Sequence, residues 1–179
     1  LALIGGNMAK VELQIKGREA LQKRLNEKRQ YVINTLNTRL AQLAEEAVTY
    51  SKNNKGYKDR TANLKNSISF ALYFDGELLT SKVSEDYNPT YKDEKGKVHD
   101  NPFSMDNVMQ FRGNALNEYA QKEGVVASKG YSLVIVAGMN YGKYVEDKGY
   151  NVLHLTKYFL RDEMKKIFEE VAEMIKSDS

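Results

Sequence analysis

The chain has 179 residues and contains no cysteine, no tryptophan, two prolines and two histidines. Without cysteine there is no disulfide framework, no thiolate metal site and no cysteine nucleophile. Two histidines exclude a histidine-rich metal centre. No apolar run approaches the roughly 18–20 residues needed to cross a bilayer, so no membrane partner is expected. Nor is there a phosphate-binding glycine loop: neither G-x-x-x-x-G-K-[ST] nor G-x-G-x-x-G after a strand is present. The strained G-x-S-x-G elbow of hydrolases is also missing.

What the chain does have is core material. Hydrophobic residues make up 41 % and charged residues 28 %, which argues for a folded domain rather than wholesale disorder. At roughly 100–200 residues per domain the length suits one domain. Residues 1–9 read as a disordered leader or expression remnant, its first seven residues preceding a start-like Met8-Ala9-Lys10. Residues 10–179 read as the domain itself, with an insert at 84–130.

Charge is nearly balanced, 27 basic against 24 acidic residues, but unevenly placed. Residues 10–30 hold seven basic and three acidic side chains, and residues 52–65 hold five basic side chains against Asp59 alone. Such segments suit a solvated face, an acidic partner or nucleic acid.

Hydrophobic periodicity gives the element order. Residues 10–16 alternate, with Val11, Leu13 and Ile15 apolar, as in a half-buried strand. After Gly17 the period becomes helical. Leu21, Leu25, Val32, Leu36, Leu43 and Ala47 form one stripe to about residue 50, without Gly or Pro. A helix that long exceeds the diameter of a domain of this size. It must bend, break near Asn26 or Asn34, or project, and a projecting apolar stripe needs a second chain to cover it.

Asp59 or Thr61 is placed to cap a short helix that Leu64 and Ile68 anchor. Asp75-Gly76 between two β-prone runs, 69–74 and 77–83, predicts a hairpin. Residues 84–103 read as a long polar loop. Residues 104–123 read as a helix that Gly113 would divide. Residues 131–137, the most apolar run, read as a central strand. Thr156 is expected to cap a last helix, 157–175, with Leu160, Met164, Ile167, Phe168, Val171 and Ile175 on its inner face. The sum is α+β: a small, mainly antiparallel sheet packed by a long N-terminal helix and a C-terminal helix.

Catalytic arrangements are scarce. Neither His99 nor His154 has a ligand-type partner at helical spacing. His99 reads as a solvated loop residue and His154 as a packing or surface residue. Glu146 and Asp147 follow the apolar strand without a partner carboxylate. The twelve tyrosines include a group at 141, 144, 150 and 158 that suits either an interface or sheet-edge cover. No catalytic, cofactor or metal residue is assigned, and no enzyme activity is expected.

Two segments carry a family resemblance. The first is Asp59-Arg60-Thr61-Ala62-Asn63-Leu64-Lys65-Asn66-Ser67-Ile68. The second is Val134-Ile135-Val136-Ala137-Gly138-Met139-Asn140-Tyr141-Gly142-Lys143-Tyr144-Val145-Glu146, followed by Phe159-Leu160-Arg161. Together they resemble the head–tail joining and tail-completion proteins of long-tailed bacteriophages and prophages. That family shows D/G-R-T-G-x-L-R-x-S-I, then V-x-V-G-x-x-x-x-Y-A-x-Y-V-E-x-G-T, then P-F-L-R-P-A. Ala62 stands where the pattern has glycine, Gly142 where it has alanine, and Tyr158 where it has the proline before Phe-Leu-Arg. The insert is also longer than the pattern expects.

The resemblance implies a virion structural protein without cofactor, made in a bacterial host. It would add to the head-proximal end of a tail as a ring of identical subunits, contacting tail-tube or connector proteins and, weakly, DNA. The motif residues are read as fold-defining, with the long helix and the insert as candidate ring contacts. The alternative is a nucleic-acid-binding module using the basic segments 10–29 and 52–65.

Overall fold

The computed structural model describes residues 17–177; the alternating segment 10–16 and the leader 1–9 lie outside the described residues. From Gly17 the chain enters α1 (Arg18–Asn53), one helix of 36 residues that runs through Asn26 and Asn34 uninterrupted. At about 1.5 Å per residue it spans about 54 Å. Its apolar stripe is buried at Leu36, Leu40, Leu43, Ala44 and Ala47. Towards the N-terminus the same stripe is bare: Leu21 is 60 % exposed and Leu25 59 %. Of the three outcomes open to so long a helix, this one projects.

A one-turn 3-10 helix (Lys65–Ser67) leads into β1 (Ile68–Phe74), which pairs antiparallel with β2 (Glu77–Lys82). Asp75 and Gly76 both take positive φ, 51° and 84°, as a tight hairpin requires. The turn is tied down from outside, because Gly130 N donates to the Asp75 carboxylate at 2.7 Å and Asp75 N donates to Gly130 O at 2.9 Å.

β5 (Tyr131–Ala137) pairs antiparallel with the other side of β1, giving the sheet order β2-β1-β5. Among the described residues the apolar run at 131–137 therefore lies at an edge of the sheet, with β1 at its centre. The correction has a packing reason. Helices cover both faces of β5, which accounts for its apolar sequence with only β1 paired to it among the described residues.

Those helices make three layers. Leu72 packs with Leu40 and Leu43 of α1 and, through Leu133, against α4 (His154–Ser177). On the opposite face Ala71, Val134 and Val136 pack on Leu116 of α2 (Met105–Ala120). β1 is thus buried on both faces, which its near-continuous apolar sequence allows.

Four further expectations are corrected. Gly113 does not divide α2, whose interior position simply lacks a side chain. Ser104 caps that helix by accepting from Asn107 N at 3.3 Å. Residues 84–103 are not all loop: β3 (Thr90–Lys92) and β4 (Val98–Asp100) form a small hairpin. There His99 hydrogen-bonds Asp93 at 2.9 Å and stacks on Tyr91, so it is half-buried rather than solvated. Thr156 is not the cap of α4 but lies within its first turn, buried, its hydroxyl 2.7 Å from that of Ser51. The role expected of Thr156 falls to Glu146, as described next.

Candidate functional site

The two motif segments lie some 80 residues apart in sequence and meet in one cleft of about 300 Å³. Asp59, Arg60, Thr61 and Leu64 come from the loop after α1, and Tyr141 and Val145 from the short helix α3 (Gly142–Asp147) and the residue before it. The far wall is Tyr91, Pro102 and Phe103 of the insert. Tyr57 completes it. Burial, reinforced by the charge of Asp59, pushes the Tyr57 phenol well above its ordinary range. Tyr141 moves the same way through burial, partly offset by hydrogen bonds with Thr61 and the Leu64 backbone.

The loop itself is not built as expected. Asp59 caps nothing; its carboxylate pairs with Lys55 Nζ at 3.2 Å. Leu64, not Asp59 or Thr61, precedes the short helix, and no side chain caps it. Thr61 Oγ1 instead accepts from Asn63 N at 3.3 Å, closing a turn in which Ala62 is held at φ 61°. Ser67 is buried; its hydroxyl donates to Leu64 O at 2.8 Å, and its own carbonyl accepts from Gly138 N at 3.0 Å. Ile68 pairs with Ala137 across the sheet.

Gly138 ends β5 against α2. A Cβ there would stand 2.6 Å from Arg112 Cα, so only glycine fits. At Gly142 an added Cβ would meet the tip of Leu64 at 3.2 Å, which the flexible side chain can relieve.

Glu146 is the pivot of the second segment. One carboxylate oxygen accepts from Val152 N at 2.9 Å and Leu153 N at 2.8 Å, and the other from His154 N at 3.2 Å. These are donors with no acceptor inside α4, and a carboxylate also suits the positive end of a helix. Asn151 Oδ1 takes Leu155 N at 2.9 Å.

The remaining motif residues lie elsewhere. Tyr144 is exposed under Lys148. Phe159 stacks on Tyr50 at 4.4 Å, Leu160 packs in the α1–α4 core, and Arg161 lies over the ring of Tyr158.

The sequence reading missed Arg112. It is fully buried, with Nη1 donating to Ser84 O at 2.5 Å and Nη2 to Asp86 O at 2.8 Å. Burial lowers its pKa, opposed by the attraction of Asp86. A signal existed: position 112 lies midway between Val108 and Leu116 on the inner face of its helix. Asn63 and Asn101 were missed too, and their pairing left no trace in the periodicity.

Among the described residues, no group of three His, Asp or Glu side chains could hold a metal, and no helix is long and apolar enough to cross a membrane. The cleft offers aromatic walls, the Asp59 carboxylate already paired with Lys55, and two exposed cations, Lys58 and Arg60. Fold and site together define an α+β protein with a small antiparallel sheet between a long N-terminal helix with a C-terminal helix on one side and α2 on the other. No family model matches the chain, and no curated protein and no solved structure matches it either.

Proposed function

We propose that the chain is a structural protein of the head–tail junction of a long-tailed phage or prophage. It acts by oligomeric assembly onto a tail or connector rather than by catalysis, without a cofactor. Its place is the virion, and before assembly the cytoplasm of the bacterial host.

The observation that carries this reading is the backbone of Ala62. The family pattern puts glycine there, and Ala62 is one of two non-glycine residues with positive φ among the described residues. A left-handed turn at that place is the physical reason for a glycine, so the pattern and the local geometry agree at a position where chance agreement is uncommon. The bare stripe at Leu21 and Leu25 supports the assembly part.

The nucleic-acid alternative has less support from the second basic segment, where Lys55 pairs with Asp59 and Lys58 with Glu94. The test is solution mass by light scattering over a concentration series, with negative-stain imaging. Closed rings are expected. A strict monomer at high concentration would remove self-assembly and make the salt dependence of DNA binding the deciding assay.

A further inference from the structure

The projecting end of α1 sorts its charges. At 100° per residue, Arg18, Arg24, Lys28 and Arg29 fall within about 80° of the line through Leu21 and Leu25. Glu19 and Glu27 fall on the far side, where Glu27 lies 4.0 Å from Lys23. The leucine face of the tip is thus apolar and ringed by cations, with no carboxylate of α1 on it. Two such tips laid together would set arginines against arginines. The face calls for an acceptor that is apolar at its floor and carries acidic groups.

This chain carries one. A groove of about 510 Å³ opens where α1 leaves β2 uncovered. Ile68, Phe70 and Val83 supply its apolar surface, and Glu45, Glu85 and Asp86 its carboxylates. Two ammonium groups share it. Lys82 is already bound to Glu45 at 3.2 Å, and Lys52 faces Asp86, its pKa lowered by burial. Glu85 is exposed and has no cation of its own among the described residues.

Tip and groove cannot meet within one molecule. Leu21 of the tip and Val48, which also lines the groove, are on the same uninterrupted helix, 27 residues and so about 40 Å apart. We infer that the Leu21–Leu25 face of one copy docks into the Glu45–Glu85–Asp86 groove of a second copy. The contact joins two different surfaces, so it is head-to-tail, and it forms a ring when the rotation between successive copies closes. It deepens the assembly reading above by naming the contact, and its test separates the two.

The test follows the half-assembly concentration of the full chain by light scattering. L21E/L25E alters only exposed positions and is expected to remain folded by circular dichroism yet stay monomeric. R24E and E85K are each expected to raise the half-assembly concentration by about tenfold or more, and R24E/E85K to recover most of that loss. Because the chain has no cysteine, mixed L21C and V83C copies report the same contact by disulfide formation.

Assembly that none of these variants changes overturns the docking proposal and leaves the assembly reading standing. Failure of R24E/E85K to recover, with no L21C–V83C crosslink, overturns the groove as acceptor. A parent that never assembles overturns the contact altogether. If R24E abolishes binding to a random-sequence DNA duplex while L21E/L25E does not, the tip serves nucleic acid and the proposal falls.

Discussion

Asn63 and Asn101 exchange two amide hydrogen bonds: each Nδ2 donates to the other's Oδ1, at 2.8 and 3.0 Å. The pair joins the first motif segment to the insert across 38 residues of sequence. Asn63 is 2 % exposed. Asn101→Ala leaves its amide buried without a partner, a cost of about 1–3 kcal/mol. Urea denaturation should show that loss. Asn63→Ala/Asn101→Ala should lose less than the sum of the single variants, because the bonds between the two amides are lost only once, while Asn88 O and Phe103 N lose Asn101 in either background. Strict additivity would mean the two amides do not act as a pair.

Ala62 carries a conformational cost that glycine would not. Placing an L-residue in the left-handed region costs about 1–2 kcal/mol, and the added chain entropy of an unfolded glycine returns about 0.4–1 kcal/mol. Ala62→Gly is therefore expected to stabilise the fold by about 0.5–1 kcal/mol, seen as a higher melting temperature. A lower one would contradict the turn geometry.

At Gly138 the sign reverses. The added methyl of Gly138→Ala meets the α2 backbone at Arg112, and backbone cannot step aside as a side-chain tip can. Overpacking of this kind costs about 1–3 kcal/mol or more. Gly142→Ala, which meets only the end of Leu64, is expected to cost far less. Chemical denaturation of the two variants side by side reads the difference.

Glu146 holds three backbone donors at the start of α4. Glu146→Ala should destabilise by about 2–4 kcal/mol, the sum of a lost cap and partly buried donors left open. Glu146→Gln keeps one carbonyl oxygen and should lose less. Hydrogen exchange is expected to speed up first at Val152, Leu153 and His154; an unchanged rate there would remove the capping role.

The insert hairpin should respond to acid. The Asp93 carboxylate is held below the usual carboxylate range, chiefly by its hydrogen bond with His99 and then by the backbone N–H of Lys97, against a small opposing burial effect. A depressed folded-state pKa favours the folded hairpin above the unfolded value. That contribution is lost as pH falls through the folded one. NMR signals of Tyr91 and His99 are therefore expected to shift and broaden at pH values below ordinary carboxylate titration, and Asp93→Asn to remove the transition.

The sequence alone determined the elements whose causes are local. An unbroken stripe without Gly or Pro makes α1, and Asp75-Gly76 makes the hairpin because those residues accept positive φ. The same locality made the α+β class legible, along with the expectation of a helix too long for its domain. It also supplied the motif residues, six of which line one cleft.

Only the tertiary structure decided what depends on neighbours distant in sequence. An apolar strand looks the same whether other strands or helices bury it, so β5 could not be told from a central strand. Thr156 has the chemistry of a cap, yet Glu146 arrives from another helix with a charge and two acceptor oxygens. Thr156 turns instead to Ser51, 105 residues away. Both Nη groups of the buried Arg112, though not its Nε, and the Asn63–Asn101 pair find partners that no periodicity encodes. Hydrophobic pattern is written along the chain. Hydrogen-bond satisfaction is settled only where the chain folds back on itself.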